Sequence, residues 1–444
     1  MRRSLLGSFL VFSASVAFMS TGCAPSPHGH RPRTPDASAQ GKEGAQKSVA
    51  QLMARENGPF KKHHFEVFGG LVTGEYESTG KVSAECQKDA DEDETCALHL
   101  SMGEDDNGDA YVISCFLDTT PRGPFGAIVS NRLQGLGLSE PPKVLVKNVG
   151  EGVAIEWMAN TQGQDEEGGA VVGTTKIASL YSQNYSATCS DARPGGRATF
   201  KRVVGDLFAS LRFSPNPRRP AHAALGYDVR RGDQSSGFRY GLIEKRMDGK
   251  PGTAEIHLSY NVESDGKMWK SIDASLVVLR DPTGNVDLYR YSASAQDGTK
   301  LAVLTAKPSE DGKFRLKSER AGKSDALDST PRAPLNTELW AASELSKVSK
   351  GKIATYRYAT LGYDDSGDPK FSYITLSRSA PGVLLEEEED RKAKGDLKGS
   401  LKDELHLAPD GTVTKEVATH FVSERVYSFG KLPALAPMKA RSKR

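Results

Sequence analysis

The chain has 444 residues, with 59 Lys and Arg against 57 Asp and Glu, 37% hydrophobic residues and five Cys, enough apolar material for two ordinary domains. Collagenous and disulfide-dense miniprotein classes are excluded, and a formal charge of +2 gives no field to attract nucleic acid, so no nucleic-acid partner is expected. One stretch alone, at the N-terminus, is apolar enough to meet a membrane.

That stretch begins with Met1-Arg2-Arg3, continues as an uncharged apolar run from Leu5 to Met19, and ends in Ser20-Thr21-Gly22-Cys23. A basic start, a short apolar segment and small residues before a cleavage point are the order of a signal peptide. With Cys immediately after Gly22 it resembles a bacterial lipoprotein signal, although Ser20 stands where such signals usually carry an aliphatic residue. The resemblance covers residues 1–23. It implies a signal peptide over 1–22, lipid attachment at Cys23, and a membrane partner reached through acyl chains, each buried methylene contributing roughly 0.8 kcal/mol. Ala24 after the Cys suggests an outer-membrane lipoprotein of the cell envelope, facing the periplasm or the cell surface. Removing 1–22 takes away Arg2 and Arg3 and no acidic residue, so basic and acidic residues become equal in number.

From 23 to 58 the composition is Pro, Ser, Gly, His, Gln and charge, with one short helical possibility at Gln46–Glu56. Such a segment reads as a flexible tether. The first domain, 59–213, alternates like a half-buried sheet. Cys96, Leu98, Leu100 and Met102 share one face, as do Tyr111, Ile113, Cys115 and Leu117. Lys143–Val149 and Val153–Met158 flank Gly150-Glu-Gly152, a hairpin signal. Helices are expected at Phe125–Leu133 and, more strongly, at Thr199–Phe213, where Phe200, Val203, Val204, Leu207, Phe208 and Leu211 fall on one face. The linker 214–224 is rich in Pro.

The second domain, 225–430, is organised by its turns: Asp248-Gly, Asp265-Gly, Asp281-Pro-Thr-Gly, Asp297-Gly, Asp311-Gly and Asp410-Gly each sit between β-patterned runs. Strands are expected at Phe238–Lys245, Ala254–Val262, Ser271–Arg280, Val286–Ser292, Leu301–Ala306, Phe314–Ser318, Ile353–Leu361, Phe371–Leu376 and Thr414–Phe429, with one amphipathic helix over Thr337–Val348. Residues 431–444 read as a tail. The predicted class is α+β and mainly antiparallel β: two β-rich domains, the second a long β-meander with one covering helix. In outline that meander is similar to the half-barrel domains of periplasmic lipoprotein carriers and acceptors, a likeness of architecture that matches no motif and carries no residue across.

Of the five Cys, Cys86, Cys96, Cys115 and Cys189 remain once Cys23 is set aside, an even number suited to disulfides in an oxidising compartment. Four Cys allow three connectivities. Cys86 and Cys96 bracket an acidic loop and are placed to close it; Cys115 and Cys189 would then join a strand to the segment before the strong helix. No C-x-x-C and no His at zinc-finger spacing is present, so no metal ligands are expected. The acidic stretches Asp89–Glu94 and Glu104–Asp109 do not fit the EF-hand loop and read as solvated hairpin tips. Glu386–Asp390 reads as an exposed charged loop. His63 and His64 point to opposite strand faces, which disfavours a shared metal, and His99 reads as an exposed strand residue. Tyr289 with Tyr291, and Tyr356 with Tyr358, each fall on one strand face, as core packing against the Trp340 helix or as the wall of a cup for an apolar ligand.

No nucleophile elbow, P-loop, dinucleotide fingerprint or H-E-x-x-H occurs. The expectation is an envelope lipoprotein acting as a non-enzymatic binding or structural module, without catalytic residues or cofactor, whose partner is an envelope protein or an apolar ligand. The alternatives are a lipid or lipoprotein carrier with an apolar cavity in the second domain, and a hydrolase whose site is assembled from distant residues.

Overall fold

The computed structural model describes residues 60–433, apart from 81, 83, 89–92, 105–109, 122–124, 134–136, 139–140, 165–169, 193–194, 265–268, 296–297, 310, 321–322, 348–354, 364–367, 390–401 and 420. Cys23, the tether and the helical possibility at Gln46–Glu56 lie outside the described residues. The contacts divide the described residues into two units, one of 219–433 with 125–127, the other of 60–121 with 128–218. Both are mainly antiparallel β, as the sequence predicts.

In the N-terminal unit β1 (Lys61–Val67) and β2 (Val72–Ser78) form a hairpin. After it come β3 (Glu85–Lys88), β4 (Glu94–Glu104), β5 (Ala110–Asp118), α1 (Phe125–Leu133, whose residues 125–127 belong to the other unit), β6 (Gly137–Leu138), β7 (Lys143–Val149), β8 (Gly152–Gln164), β9 (Ala170–Ser182), β10 (Tyr185–Asp191), α2 (Arg197–Ser210) and β11 (Arg212–Phe213). Strands β3 to β10 build one sheet in the order β3-β4-β5-β10-β9-β8-β6, with β7 also on β8, and β11 joins β2 in a second, three-stranded sheet. The alternation explains the core: Cys96, Leu98, Leu100 and Met102 on β4, with Ile113, Cys115 and Leu117 on β5, are all buried. They share one cluster with Phe200, Val203, Val204, Leu207 and Phe208 of α2. Each such side chain contributes roughly 1.5–3 kcal/mol by leaving water. The helix ends earlier than its periodicity suggests, because Arg212 and Phe213 pair with Thr73 and Val72 of β2. Burying Phe213 in a sheet outweighs extending the helix by one turn.

The C-terminal unit continues with β12 (Ala221–Arg231), β13 (Gln234–Lys245), β14 (Thr253–Ser264), β15 (Trp269–Arg280), β16 (Val286–Ala295), β17 (Lys300–Pro308), β18 (Phe314–Arg320) and β19 (Lys323–Ser329). Then come α3 (Glu338–Lys347), β20 (Thr355–Tyr363), β21 (Pro369–Ala380), β22 (Val383–Glu388), β23 (Lys402–Leu407), β24 (Val413–Val417) and β25 (Val422–Gly430). These strands form a single 14-stranded sheet of two meanders, β12 to β19 and β20 to β25, joined where β12 pairs with β25. Turn chemistry sets the connections. Between β15 and β16, Asp281 Oδ1 accepts the Thr283 and Asn285 N–H groups at 2.8 and 2.9 Å, while Gly284 takes φ +87°, a conformation that favours Gly.

The ends of the strand path meet again: β17 contacts β20, and β18 and β19 contact β21, so the sheet is rolled. The segment before α3 is stitched to β20 by the Asn336 N–H to Ala359 O bond (2.9 Å) and the Ala359 N–H to Pro334 O bond (2.8 Å). Most of helix α3 is buried: Leu339, Trp340, Ala341, Ala342, Ser343 and Leu345 have almost no exposed surface. One side meets Leu225 and Ile243, the other Tyr358, Ile374, Leu376, Leu384, Leu405 and Val413. Its apolar residues pack against strands on both sides, while Glu338 and Glu344 are half-buried.

The charged stretch at Glu386–Asp390 is a correction. Residues 383–388 are strand β22, and Glu386 is buried next in alternation to buried Leu384. A run of Glu conceals a two-residue period, because the inward and outward positions carry the same residue type.

Candidate functional site

A cavity of about 60 Å³ lies within the C-terminal unit beside the start of α3, lined by Leu225, Tyr227, Arg239, Gly241, His257, Leu258, Ser259, Glu338, Leu339, Val413, Glu416 and Ser423. The strands place these groups by alternation: Arg239 and Gly241 stand two apart on β13, and His257 and Ser259 two apart on β14. An added Cβ at Gly241 would meet His257 Nδ1 at 3.2 Å, so glycine leaves the imidazole its place.

On one side of the α3 N-terminus stands a buried polar network. Glu255 Oε1 accepts the Thr337 hydroxyl at 2.8 Å and lies 2.6 Å from His257 Nε2. Arg280 Nη2 lies 3.4 Å from Glu255 Oε2 and donates to Asn336 Oδ1 at 2.9 Å. Burial alone would raise Glu255, but His257, Arg280 and the Thr337 hydroxyl outweigh it and hold the carboxyl below its ordinary value.

On the other side, carboxylates crowd. Arg239 forms an ion pair with Glu416 and stacks over the Phe421 ring at 5.0 Å. Burial works against the Arg239 charge, yet Glu416 and Glu338 keep it above its ordinary value. Glu338, in the first turn of α3, is pushed up to about 8 by burial and then by Glu416, with Arg239 opposing and Asp403 adding. Glu386 is raised well above the carboxylate range by burial and by Glu338, Glu416 and Asp403, and its Oε2 has no hydrogen-bond partner among the described residues. Tyr227 donates to Val413 O at 3.0 Å, and burial raises it. Ser423, 1% exposed, lines the cavity with a hydroxyl that has no partner among the described residues.

The tyrosine rows divide. Tyr358 and Tyr356 pack with Ala341, Ala342 and Leu345 of α3, whereas Tyr289 belongs to a cluster with Leu335, Ala359 and Tyr373, and Tyr291 packs with Ala274 and Ala293. Cys86 is joined to Cys96, and Cys115 to Cys189; both pairs lie directly opposite in strand register, on β3 with β4 and on β5 with β10. Among the described residues, the one group of three potential metal ligands is Cys86, Glu94 and Cys96, whose sulfurs are already bonded to each other. His63 stacks on Tyr76 with centroids 5.1 Å apart, His64 is exposed, and exposed His99 lies 3.3 Å from Ser114 Oγ.

The cavity residues Arg239, His257, Glu338, Glu416 and Ser423 escape sequence reading, since they share no motif and come from five elements. The available signal is a charged residue at an inward position between apolar ones, as with Glu386 beside Leu384.

No family model matches the chain, and no curated protein matches it. Among solved structures it is similar to a β-barrel-like protein of a domain of unknown function, DUF1849, from Brucella abortus, at 15% identity and a TM-score of 0.34, over 47% of this chain and 97% of that one. It is also similar to a DUF1089 family protein from Pseudomonas aeruginosa, at 12% identity and a TM-score of 0.27, over 45% of this chain and 94% of that one.

Proposed function

We propose that the protein is a lipid-anchored protein of the cell envelope, held by acyl chains on Cys23, whose β-rich units act as a non-enzymatic binding module. The observation that supports this most directly is the cysteine pairing. Two disulfides use Cys86, Cys96, Cys115 and Cys189 and suit an oxidising compartment, and Cys23, the fifth of the chain's cysteines, follows the apolar leader at the position where a lipoprotein is acylated.

The carrier alternative needs room for an acyl chain, and α3 occupies the inside of the roll. Among the described residues, the C-terminal unit offers a cavity of about 60 Å³, room for a few heavy atoms. A small-ligand module fits both observations.

Intact-mass analysis of detergent-extracted protein tests the anchor. The expected product begins at Cys23 and carries the mass of a diacylglyceryl group with or without a third acyl chain. An unmodified N-terminus at any other residue overturns the reading.

A further inference from the structure

The cavity beside α3 combines features that together specify a ligand. Two carboxylates line it, Glu338 and Glu416; Arg239 is committed to Glu416, which leaves Glu338 without an ion pair among the described residues. A carboxylate so placed stays neutral by taking up a proton or becomes stable as an anion beside a cation. Ser423 is independent of that charge, and it lines the space buried, its hydroxyl unpartnered among the described residues. A buried hydroxyl without a partner costs free energy that a ligand able to hydrogen-bond it recovers.

The walls decide which cation. A hard metal ion takes six to eight oxygen ligands, whereas much of this lining is Leu225, Leu258, Leu339 and Val413. A cation with a short apolar body satisfies both halves. At roughly 10–15 Å³ for each water-sized group, a volume of about 60 Å³ accepts roughly four to six non-hydrogen atoms.

We propose that this cavity binds a small primary alkylammonium ion, with Glu338 as its counter-charge, Ser423 Oγ and the Tyr227 hydroxyl oxygen as further acceptors, and Leu258, Leu339 and Val413 around the alkyl chain. Tyr227 spends its proton on Val413 O, which leaves its oxygen lone pairs to accept. An ammonium has three N–H donors, and the lining offers Glu338, Ser423 and Tyr227 as oxygen acceptors. The ion displaces the proton that Glu338 otherwise carries, so binding releases a proton. This deepens the binding-module reading by naming a ligand class for it.

The groups that bear on this exchange come from every element around the cavity: Tyr227 on β12, Arg239 on β13, Glu255 and His257 on β14, Arg280 on β15, Tyr358 on β20, Glu386 on β22, Asp403 on β23, Glu416 on β24 and Arg425 on β25. The carboxyls of Glu338, on α3 itself, and of Glu386 are displaced upward, so they set the pH range in which protons and ammonium compete.

The test is isothermal titration of n-propylammonium and n-butylammonium chloride into the full chain at pH 7, with tetramethylammonium, which has no N–H donor, as the comparison. Saturable binding of one ion per chain is expected. Glu338→Gln weakens it by about tenfold or more, as loss of a hydrogen bond to a charged group does, and Ser423→Ala weakens it less. No saturable heat with either primary amine, equal binding of tetramethylammonium, or unchanged affinity in Glu338→Gln overturns the proposal. If Glu338→Gln does not fold, the wild-type protein decides: affinity rises from pH 6 to pH 9 and the measured heat depends on the buffer's ionisation enthalpy, and affinity flat across that range overturns it. An acylated Cys23 together with absent amine binding removes this site and leaves the anchor reading in place.

Discussion

Arg280 and Glu255, both fully buried, lie 3.4 Å apart on neighbouring strands, and each holds one residue of the entry into α3, Asn336 by Arg280 and Thr337 by Glu255. Arg280 also stacks over the Trp340 ring at 5.8 Å. The helix inside the roll is therefore positioned by a charge pair that no water reaches. Arg280→Met removes one partner and leaves the other buried, which costs about 3–5 kcal/mol. Urea unfolding of the variant, followed at the transition of the C-terminal unit, measures the loss.

Stability of that unit falls as pH rises. Glu338 is displaced from 4.5 up to about 8, and Glu386 is displaced in the same direction, so between those values the folded state binds more protons than the unfolded chain. By linkage, the stability present below pH 4.5 is lost progressively as pH climbs through the folded value near 8. Chemical denaturation at pH 5, 6.5 and 8 shows the decline. Glu338→Gln, which carries no titrating proton, has a shallower decline and is more stable than the wild-type protein at pH 8.

Gly252 takes φ +129°, and a Cβ there would stand 1.9 Å from the carbonyl oxygen of Arg280. Nothing flexible can give way, because both atoms belong to the backbone at the start of β14 and the end of β15. Gly252→Ala therefore costs about 1–3 kcal/mol or more, and it shifts the Arg280 carbonyl and the side chain that holds α3. Differential scanning calorimetry shows the C-terminal unit melting earlier, with the N-terminal unit unchanged.

The two disulfides differ in consequence. Cys115 and Cys189 are wholly buried and separated by 74 residues, whereas Cys86 and Cys96 are separated by 10, with Cys86 on an exposed strand. Loop-closure entropy gives about 4 kcal/mol for the longer link and about 3 kcal/mol for the shorter. The paired Ala variants, compared by urea unfolding, show that order. Under mild reductant, peptide mapping finds Cys86 and Cys96 alkylated first.

Architecture was readable wherever a local rule has one solution. The Asp-Gly turns at Asp311 and Asp410 connect strands as expected, with Gly312 and Gly411 at positive φ, and the apolar face of α2 is buried residue by residue. Strand β19 escaped, because Lys323–Ser329 is a largely exposed edge strand with no buried face to imprint a period. Strands β22 and β23 escaped because charges occupy both inward and outward positions. The cavity was the least legible part. Glu338, Glu416 and Arg239 meet only because a helix between two meanders enters the roll, and no spacing along the chain encodes that meeting.

The pairing of β12 with β25 sets Ala223 against Gly430, near the two ends of the C-terminal unit. Every other neighbour in that sheet is the next strand in sequence, so each meander assembles from short hairpins while this seam waits for the last strand. Closing distant segments is the slow step in folding a β protein. Until it happens the β12 edge stands open to pairing with another chain, so substitutions along the seam act first on the rate of folding and on aggregation during it. A protein cut short before residue 422 would leave that edge open for good.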